Sequence, residues 1–419
     1  MEHDKKLFFA GIDWGSVSHQ VCVIDQDGFI VGEKAFDHTG KGLCEMAEWM
    51  LRISETATEN VAVSIEVTHG PVVESLLERG FFVYSINPKQ LDRFRDRFSP
   101  SGAKDDRRDA QVLAEALRTD SRHLRRVKSR GPDVTALREL LRTREELVGE
   151  RVRLINRMRQ LLWSYYPQFN EVIGDDMRPW LIELWELVPT PAAARKIRRA
   201  TVGKLLKHNR IRRIDAEGIL KILRSVEISV QEAIVSSRVA HIRVIAERMK
   251  IVDRQLSETE GFIDDTINII ASRQNNRSGQ EARPSDIEIL RSIPGVGMMV
   301  LGTLLGEAYE PLCRRDYRSL RCFAGTAPVT RQSGKTRYVT RRRAASRRLT
   351  EAIYHLARVA VLHDPVSGAR YKSLRAKGLG HARSLRTVGD RLLLVCCSLL
   401  RKGEMFDKEF KKVPEVAAA

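Results

Sequence analysis

Cysteine is scarce in this chain and patterned for neither redox nor metal work. The six residues are Cys22, Cys44, Cys313, Cys322, Cys396 and Cys397, and none forms a C-x-x-C pair. Adjacent Cys396 and Cys397 are poorly placed to bridge each other, so the set reads as reduced, mostly buried thiols of a cytosolic protein. The opening residues Met1-Glu2-His3-Asp4-Lys5-Lys6 lack the apolar core of a secretory signal. Long apolar runs are missing too. The longest stretches, near Gly295–Gly306 and Leu392–Leu400, fall short of a membrane span. Acids are in deficit, with 54 Asp and Glu against 72 Lys and Arg, a formal charge of +18. That balance excludes an acidic ligand-binding surface as the dominant feature and favours a polyanion, with nucleic acid as the default. Charge alone names a partner and not a reaction, because a structural RNA binder would share it. What the chain does have is a hydrophobic fraction of 42%, ample for cores, and 419 residues, enough for two or three domains.

The first 125 residues alternate between short apolar runs and helical patterns. Leu7–Ile12 is a strand candidate that ends in Asp13-Trp14-Gly15. Gln20–Asp25 alternates and stops at Asp25-Gln26-Asp27-Gly28, a hairpin turn signal. Phe29–Phe36 is a third strand. Gly42–Ile53 is helical, with Leu43, Met46, Ala47 and Met50 on one face. Val61–Val67 is a strand with Glu66 near its end, Pro71–Glu78 a helix with proline at its start, and Phe81–Ile86 another strand. Pro88 breaks that strand, and an acid-rich helix follows.

That helix opens at Lys104-Asp105-Asp106-Arg107-Arg108-Asp109-Ala110, three carboxylates in five residues among three bases. Asp106 and Asp109 share a helical face, as do Asp105 and Asp109. An acidic first turn facing the helix dipole is the plain alternative. The order β-β-β-α-β-α-β-α matches the ribonuclease H-like plan. The actin and sugar-kinase plan begins the same way, but no Asp-x-Gly-Gly-Thr-like loop follows. Asp13 and Glu66 at strand ends, with Asp106 and Asp109 at a helix start, can converge at one rim of such a sheet. Convergent carboxylates repel and need cations, and hard oxygen ligands select Mg²⁺ or Mn²⁺. Two such ions can hold a phosphodiester with its attacking and leaving oxygens.

From Asp133 the pattern becomes a heptad. Leu140, Leu147, Leu154 and Leu161 recur every seventh residue, as do Leu141, Val148, Ile155 and Leu162. This predicts a long helix with a sticky seam, within the chain or between subunits. A second helical region, about Ile214 to Ser272, makes an antiparallel helical hairpin the simplest arrangement. Between them, Ala194–Lys207 carries six bases in fourteen residues, a density suited to phosphate contact. Arg273–Pro284 is polar and reads as a linker.

Leu290–Gly306 reads as helix, Pro-Gly-Val-Gly turn and helix, like a helix-hairpin-helix whose glycine amides approach a phosphate backbone. A plain packing turn is the alternative. Further on lies Gly325-Thr326-Ala327-Pro328-Val329-Thr330-Arg331-Gln332-Ser333-Gly334-Lys335, which opens a basic run. Arg331, Lys335, Arg337, Arg341, Arg342, Arg343, Arg347 and Arg348 are eight bases in eighteen residues. A solvated charge run is the usual meaning of such a stretch, but here it surrounds a Ser-Gly turn in a loop punctuated by Pro and Gly. Ser333 among cations would face a neutralised, electrophilic phosphate. A serine nucleophile needs a base or metal, and no His or acid stands beside it. The help must come from elsewhere, and the N-terminal acids are the candidates.

These features together resemble the DEDD transposases of the IS-one-ten insertion-sequence family, RNA-guided enzymes also called bridge recombinases. Asp13 in GIDWG, Glu66 in SIEVTHG, and Asp106 with Asp109 in KDDRRDA fall where that family's four acids fall. The stretch IPGVG…GTAPVTRQSGKTRY resembles its C-terminal domain, whose Ser-Gly carries the nucleophile, here Ser333. The family spacing Lys-x-Asp-x-x-Asp selects Asp106 over Asp105.

The resemblance implies an architecture: an α/β ribonuclease H-like (RuvC-like) domain over residues 1–125, a helical coiled-coil arm with an insertion over 126–284, and a mainly α C-terminal transposase domain over 285–419. It implies a mobile-element enzyme that binds Mg²⁺ (or Mn²⁺) through the four acids and forms a covalent phosphoserine–DNA intermediate. It also implies donor and target DNA, a guide RNA, and a homo-oligomer, dimer or tetramer. The expected setting is cytoplasmic and nucleoid-associated. A junction endonuclease of the same fold, with Ser333 only binding DNA, and a non-catalytic nucleic-acid-binding protein are the competing readings.

Overall fold

A computed structural model describes residues 7–98, 105–128, 130–174, 177–277 and 284–407. Met1–Lys6, Lys104 of the acid motif and the middle of the expected 273–284 linker lie outside the described residues. The chain divides into two compact units, Met1–Ser129 and Arg130–Ala419.

The first unit is built on a mixed six-stranded sheet. Strands β1 (Phe8–Trp14), β2 (Ser18–Ile24) and β3 (Ile30–Asp37) form an antiparallel meander. Its second turn, between β2 and β3, is held by Asp25, whose Oδ1 accepts from the amides of Asp27 and Phe29, with Gly28 at φ +94°. Helix α1 (Gly40–Ser54), capped by Thr39 Oγ1, returns the chain to β4 (Val61–Ile65), parallel to β1. Helix α2 (Pro71–Glu78) then leads to β5 (Phe82–Ser85), parallel to β4. Helices α3 (Pro88–Phe98) and α4 (Asp106–Asp120) follow, and the two-residue β6 (Arg125–Arg126) closes the order β3-β2-β1-β4-β5-β6. This connectivity is compatible with a ribonuclease H-like fold. Helix α3 was not expected, because Pro88 reads as a strand breaker. It is instead the first helical residue, where a missing amide costs nothing, and Asn87 Oδ1 caps the helix by accepting from the Lys89 amide.

Strand alternation sends β1 residues to two cores. Phe8, Ala10 and Ile12 pack with Leu43, Met46 and Met50 of α1 and Val73 and Leu76 of α2. On the other face Phe9 packs with Cys22, Ile24, and Ala110 and Ala114 of α4. Gly11 lies directly beneath that helix. A Cβ there would stand 1.9 Å from the Ala110 carbonyl oxygen and 2.5 Å from the Ala114 nitrogen. Helix α4 therefore rests on bare strand backbone, which fixes the height of its first turn above the sheet. Gly11→Ala is expected to cost at least the ~1–3 kcal/mol of ordinary overpacking, since the clash is with helix backbone and not a movable side chain. Denaturant unfolding of the variant checks this, and an unchanged midpoint would mean that α4 does not lie there.

The described residues of the second unit are helical apart from one hairpin and the connecting segments. Helix α5 (Pro132–Trp163) carries the heptad rows and packs against α11 (Glu232–Arg277). Ion pairs join Asp133 to Arg273, Arg144 to Glu260, and Arg151 to Asp253. Rising numbers on α5 meet falling numbers on α11, so the expected antiparallel helical hairpin forms. The seam is thus covered within the chain along α5. Two readings are corrected here. The region from Ile214 is split into α10 (Ala216–Leu223) and α11, with an irregular segment between them. Arg273–Arg277 extends α11 and does not begin a linker, because RQNNR contains no helix breaker.

Four more short helices precede α10: α6 (Pro167–Ile173), α7 (Pro179–Leu187), α8 (Pro191–Lys196) and α9 (Arg199–His208). They share a core with the far ends of α5 and α11, around Trp185, Tyr165, Tyr166 and Phe169. At the other end of the arm a second core joins α5 and α11 to α12 (Asp286–Ser292), α13 (Met298–Cys313), α14 (Tyr317–Phe323), α15 (Arg347–His363) and α17 (His381–Lys402). Helix α16 (Pro365–Ala376) lies between α15 and α17 in sequence.

The Pro-Gly-Val-Gly turn joins α12 to α13. Gly295, at φ +90°, faces α15, where a Cβ would stand 2.8 Å from the Leu356 carbonyl oxygen. That glycine serves helix packing, as in the plain alternative. Gly297 is exposed at the N-cap of α13.

The Ser-Gly segment is not a loop. Strands β7 (Pro328–Ser333) and β8 (Thr336–Arg341) pair antiparallel, Ser333 opposite Thr336. The two-residue turn Gly334-Lys335 has Gly334 at φ +54° and Lys335 outside the positive-φ set, the type II′ pattern that suits hairpin twist. Among the described residues no helix is long and apolar enough to cross a membrane. All six cysteines are free thiols, with Cys22, Cys396 and Cys397 buried.

Candidate functional site

Two sets of chemically capable residues stand out, one in each unit. In the first unit, β1 and β4 run parallel, with Gly11 opposite Ser64 and Ile12 opposite Ile65. Asp13 continues β1, and alternation puts it on the face of Gly11, the face that α4 covers. Glu66 follows directly on Ile65, the last residue of β4, so both acids stand at the same end of two neighbouring parallel strands, which lie about 4.8 Å apart. Both are half-buried.

Helix α4 brings the remaining acids to that face. Asp105 is its N-cap, with its carboxylate accepting from the Arg107 amide. This assigns Asp105 a helix-capping duty. Asp106 follows at the first helical position and is exposed, with no packing duty. Asp109, one turn on, is buried at 1% exposure beside Ala110, the residue seated on Gly11.

A buried carboxylate needs a counter-charge, and Asp109 has one. Arg95 of α3 donates through Nε to Oδ1 at 2.5 Å and through Nη2 to Oδ2 at 2.7 Å, a two-pronged grip. Its Nη1 donates to Asp92 at 2.6 Å. The bond to Asp109 holds the Arg95 guanidinium above its ordinary pKa, with Asp92 and Glu66 adding to the effect. Arg95 was missed in the sequence because it sits in Asp92-Arg93-Phe94-Arg95, an ordinary-looking charged helix face. As the side chains stand, no three His, Cys, Asp or Glu residues among the described ones converge closely enough to hold a metal ion. The four expected acids are thus Asp13 and Glu66 at one rim of the sheet, buried Asp109 on the helix that covers Gly11, and exposed Asp106 at that helix's first position, and an arginine grips the most buried of them.

The second set surrounds the hairpin. Ser333 is exposed at the tip of β7. The pairs Ser333–Thr336, Arg331–Tyr338 and Val329–Thr340 share one face of the ribbon. That face runs down to an open cleft lined by Val329, Arg331, Arg341, Arg342, Arg343 and Arg347. Of the eight expected bases, Arg347 pairs with Glu351 and Arg348 with Glu145. Arg342 places its Nε in a buried position without a hydrogen-bond partner. Helix α17 adds Arg383 and Arg386. Arg386 is held below its ordinary pKa by burial and then by the positive charges of Arg341 and Arg383. Cations crowded against each other in this way suit a bound anion. Their distance in sequence from the basic run concealed them.

The hairpin is anchored at its base by Asp390 of α17. Its carboxylate accepts from Arg321 Nε and Nη2 at 3.1 and 2.6 Å, and from Thr326 Oγ1 at 2.7 Å. Gly325, at φ +68°, leaves room for Ala345 and Thr350 at the same point. The ribbon itself is exposed along nearly its whole length. A two-stranded ribbon of this kind is marginally stable alone, so a fixed base is what holds the Ser333 tip in position.

An acid-rimmed sheet compatible with ribonuclease H, together with an arginine-faced ribbon bearing a serine, is the equipment of a protein that processes nucleic acid. A transposase family, the DEDD transposases of IS110, matches residues 10–167, which include all four acids. The transposase family of IS116, IS110 and IS902 matches residues 287–372, which include Ser333 and the basic run. The mini-circle putative transposase for IS117 of Streptomyces coelicolor is 30% identical over 427 residues, 100% of both chains. Putative transposase y4uE of Sinorhizobium fredii is 53% identical over 214 residues, 51% of this chain and 60% of that protein, so the match spans less than two thirds of that relative. An uncharacterized 44.8 kDa protein of insertion element IS116 from Streptomyces clavuligerus is 27% identical over 420 residues, 96% of each chain. The chain belongs to the IS110 family of insertion-sequence transposases.

Proposed function

We propose that this transposase cuts and rejoins DNA strands with Ser333 as nucleophile and with the acids of a RuvC-like first unit as the group that activates it. The observation that carries this reading is the hairpin. It presents an exposed serine at a turn, on a face that leads into a cleft of arginines, with no base of its own nearby. The Ser333 hydroxyl passes its proton to a carboxylate of the acid group, its oxygen forms the new P–O bond, and the old P–O bond breaks so that the 3′ or 5′ oxygen of the cut strand leaves and takes up a proton. The arginines of the cleft orient the phosphodiester and offset its charge. Rejoining reverses the attack with the other strand's hydroxyl.

The acid rim fits a divalent cation in its donor chemistry. Asp13, Glu66, Asp106 and Asp109 all offer hard carboxylate oxygens, two at the ends of neighbouring strands and two in the first turn of the helix that covers Gly11. These four would hold Mg²⁺ or Mn²⁺, which when bound polarises a phosphate and lowers the pKa of an attacking hydroxyl. Arg95 meanwhile supplies the positive charge that Asp109 requires, and its grip must open for Asp109 to serve as a ligand.

The high positive charge supports nucleic-acid partners, DNA as substrate and an element-encoded RNA as guide. Self-association is part of the same reading. Because the α5 seam is covered by α11, it falls to another surface, and exposed Val244, Ile251, Phe262 and Ile269 form a stripe along α11. Changing Arg341, Arg342 and Arg343 together to Ala is expected to weaken DNA binding and flatten its dependence on salt. Each lost phosphate contact lowers the log–log slope by about 0.9 for duplex DNA. Titrations at several salt concentrations measure it, and an unchanged slope would mean that these arginines face solvent in the complex.

A further inference from the structure

The small helices at the far end of the arm carry an unneutralised basic face. Nine lysines and arginines lie between Arg195 and Arg213, and no acid occurs from Leu187 to Ile214. All nine are exposed. Several cations elsewhere along the arm are answered within the chain: Arg144 by Glu260, Arg151 by Asp253, Arg248 by Glu150, and Lys250 by Glu186. On this face, among the described residues, only Arg195 and Arg199 have such partners, Glu227 and Glu217. A solvated surface with no partner has no reason to gather charge of one sign, since like charges repel and weaken the fold.

The face is also separate from the hairpin cleft. Arg348, at the cleft end of the arm, meets Glu145 of α5. From Glu145 the helix runs eighteen residues to Trp163, roughly 27 Å at 1.5 Å per residue, before α6–α10 begin. The segment from 187 to 214 contains no Phe, Tyr or Trp, so it offers no stacking platform for unpaired bases. Lysines and arginines without aromatics suit a regular phosphate backbone, where contacts position a duplex without reading its sequence.

We propose that α8 and α9, with the segment that follows them, form a second docking site for the backbone of duplex DNA, engaged at the same time as the hairpin cleft and about one helical turn or more away along the duplex. This rests on the reading of the chain as an enzyme that acts on DNA. It goes beyond that reading by assigning these small helices a duplex-holding role of their own. An RNA stem presents a related backbone, and the test sets it against the DNA.

The test is a full-length variant with Lys196, Lys204, Lys207 and Arg212 all changed to Gln, side chains that are exposed and make no ion pair. Binding is measured against salt for a duplex DNA of about 40 base pairs, roughly 136 Å at 3.4 Å per step, and for an RNA hairpin with a long stem. A single-stranded DNA serves as the third ligand. The expected result is a slope shallower by up to about 3.6 on the duplex DNA, with the single strand affected less. Loss on the DNA duplex supports the site, and loss on the RNA stem alone overturns it as a DNA-docking site. Unchanged slopes on both duplexes overturn it, as does an equal loss on the single strand. The Arg341–Arg343 variant keeps the two readings apart. If it loses binding and the Gln variant does not, the cleft stands and this second site falls.

Discussion

Replacing Asp109 by Asn is expected to lower strand cleavage about a thousand-fold or more, while nucleic-acid binding stays near the wild-type level. Asn keeps the size of the side chain and removes the charge that a divalent cation needs. Asp109 also has a structural duty, because Arg95 grips both of its oxygens at a site with almost no solvent. Weakening that grip costs about 1–3 kcal/mol, moderated because Arg95 is a quarter exposed and retains Asp92. Thermal melting therefore accompanies the assay. Asp106→Asn supplies the second arm, since Asp106 is exposed and makes no packing contribution. Loss of cleavage in both variants, with a native melt in the Asp106 variant, supports a metal-holding role. Wild-type cleavage by both removes these acids from the chemistry.

How much of this was readable beforehand follows from where each signal sits. The meander, its Asp-Gly turn and the placement of Asp13 and Glu66 at strand ends all rest on local alternation and turn chemistry, and each appears close to its expected bounds. The heptad rows likewise announced a long helix and an antiparallel partner. Long-range facts were not legible. That Gly11 must be bare because Ala110 sits on it depends on residues about a hundred positions apart. The Arg95–Asp109 grip joins two helices whose sequences give no hint of each other. The β7–β8 ribbon was hidden because its strands are polar on both faces, so hydrophobic alternation had nothing to reveal. Gly334 was visible as a turn, and only the strand pairing shows that Ser333 and Arg331 share one face with Thr336 and Tyr338.

Ser333→Ala is expected to abolish any covalent protein–DNA adduct, because no other group at the tip supplies an equivalent nucleophile. Thr336, directly opposite, is the nearest hydroxyl across the ribbon, and a β-branched residue on β8 offers a poor substitute at the turn. The hairpin base is untouched by the change, since Asp390 holds Arg321 and Thr326 and not the tip. Fold and DNA affinity should therefore persist, which separates a chemical role from a binding role. A water-using junction nuclease would form no adduct in the first place and would continue to cut as the variant. An adduct that survives Ser333→Ala would assign the nucleophile elsewhere. The same assay asks whose acids serve the serine. The acids precede Ser333 by more than 200 positions, and no base stands beside it in the ribbon. If serine and acids are drawn from different subunits, mixing the inactive Ser333→Ala and Asp106→Asn proteins should restore part of the adduct, because some mixed assemblies pair an intact serine with intact acids. Complete failure of such mixtures, with co-assembly shown by tagged capture, would place the serine and its acids in the same chain.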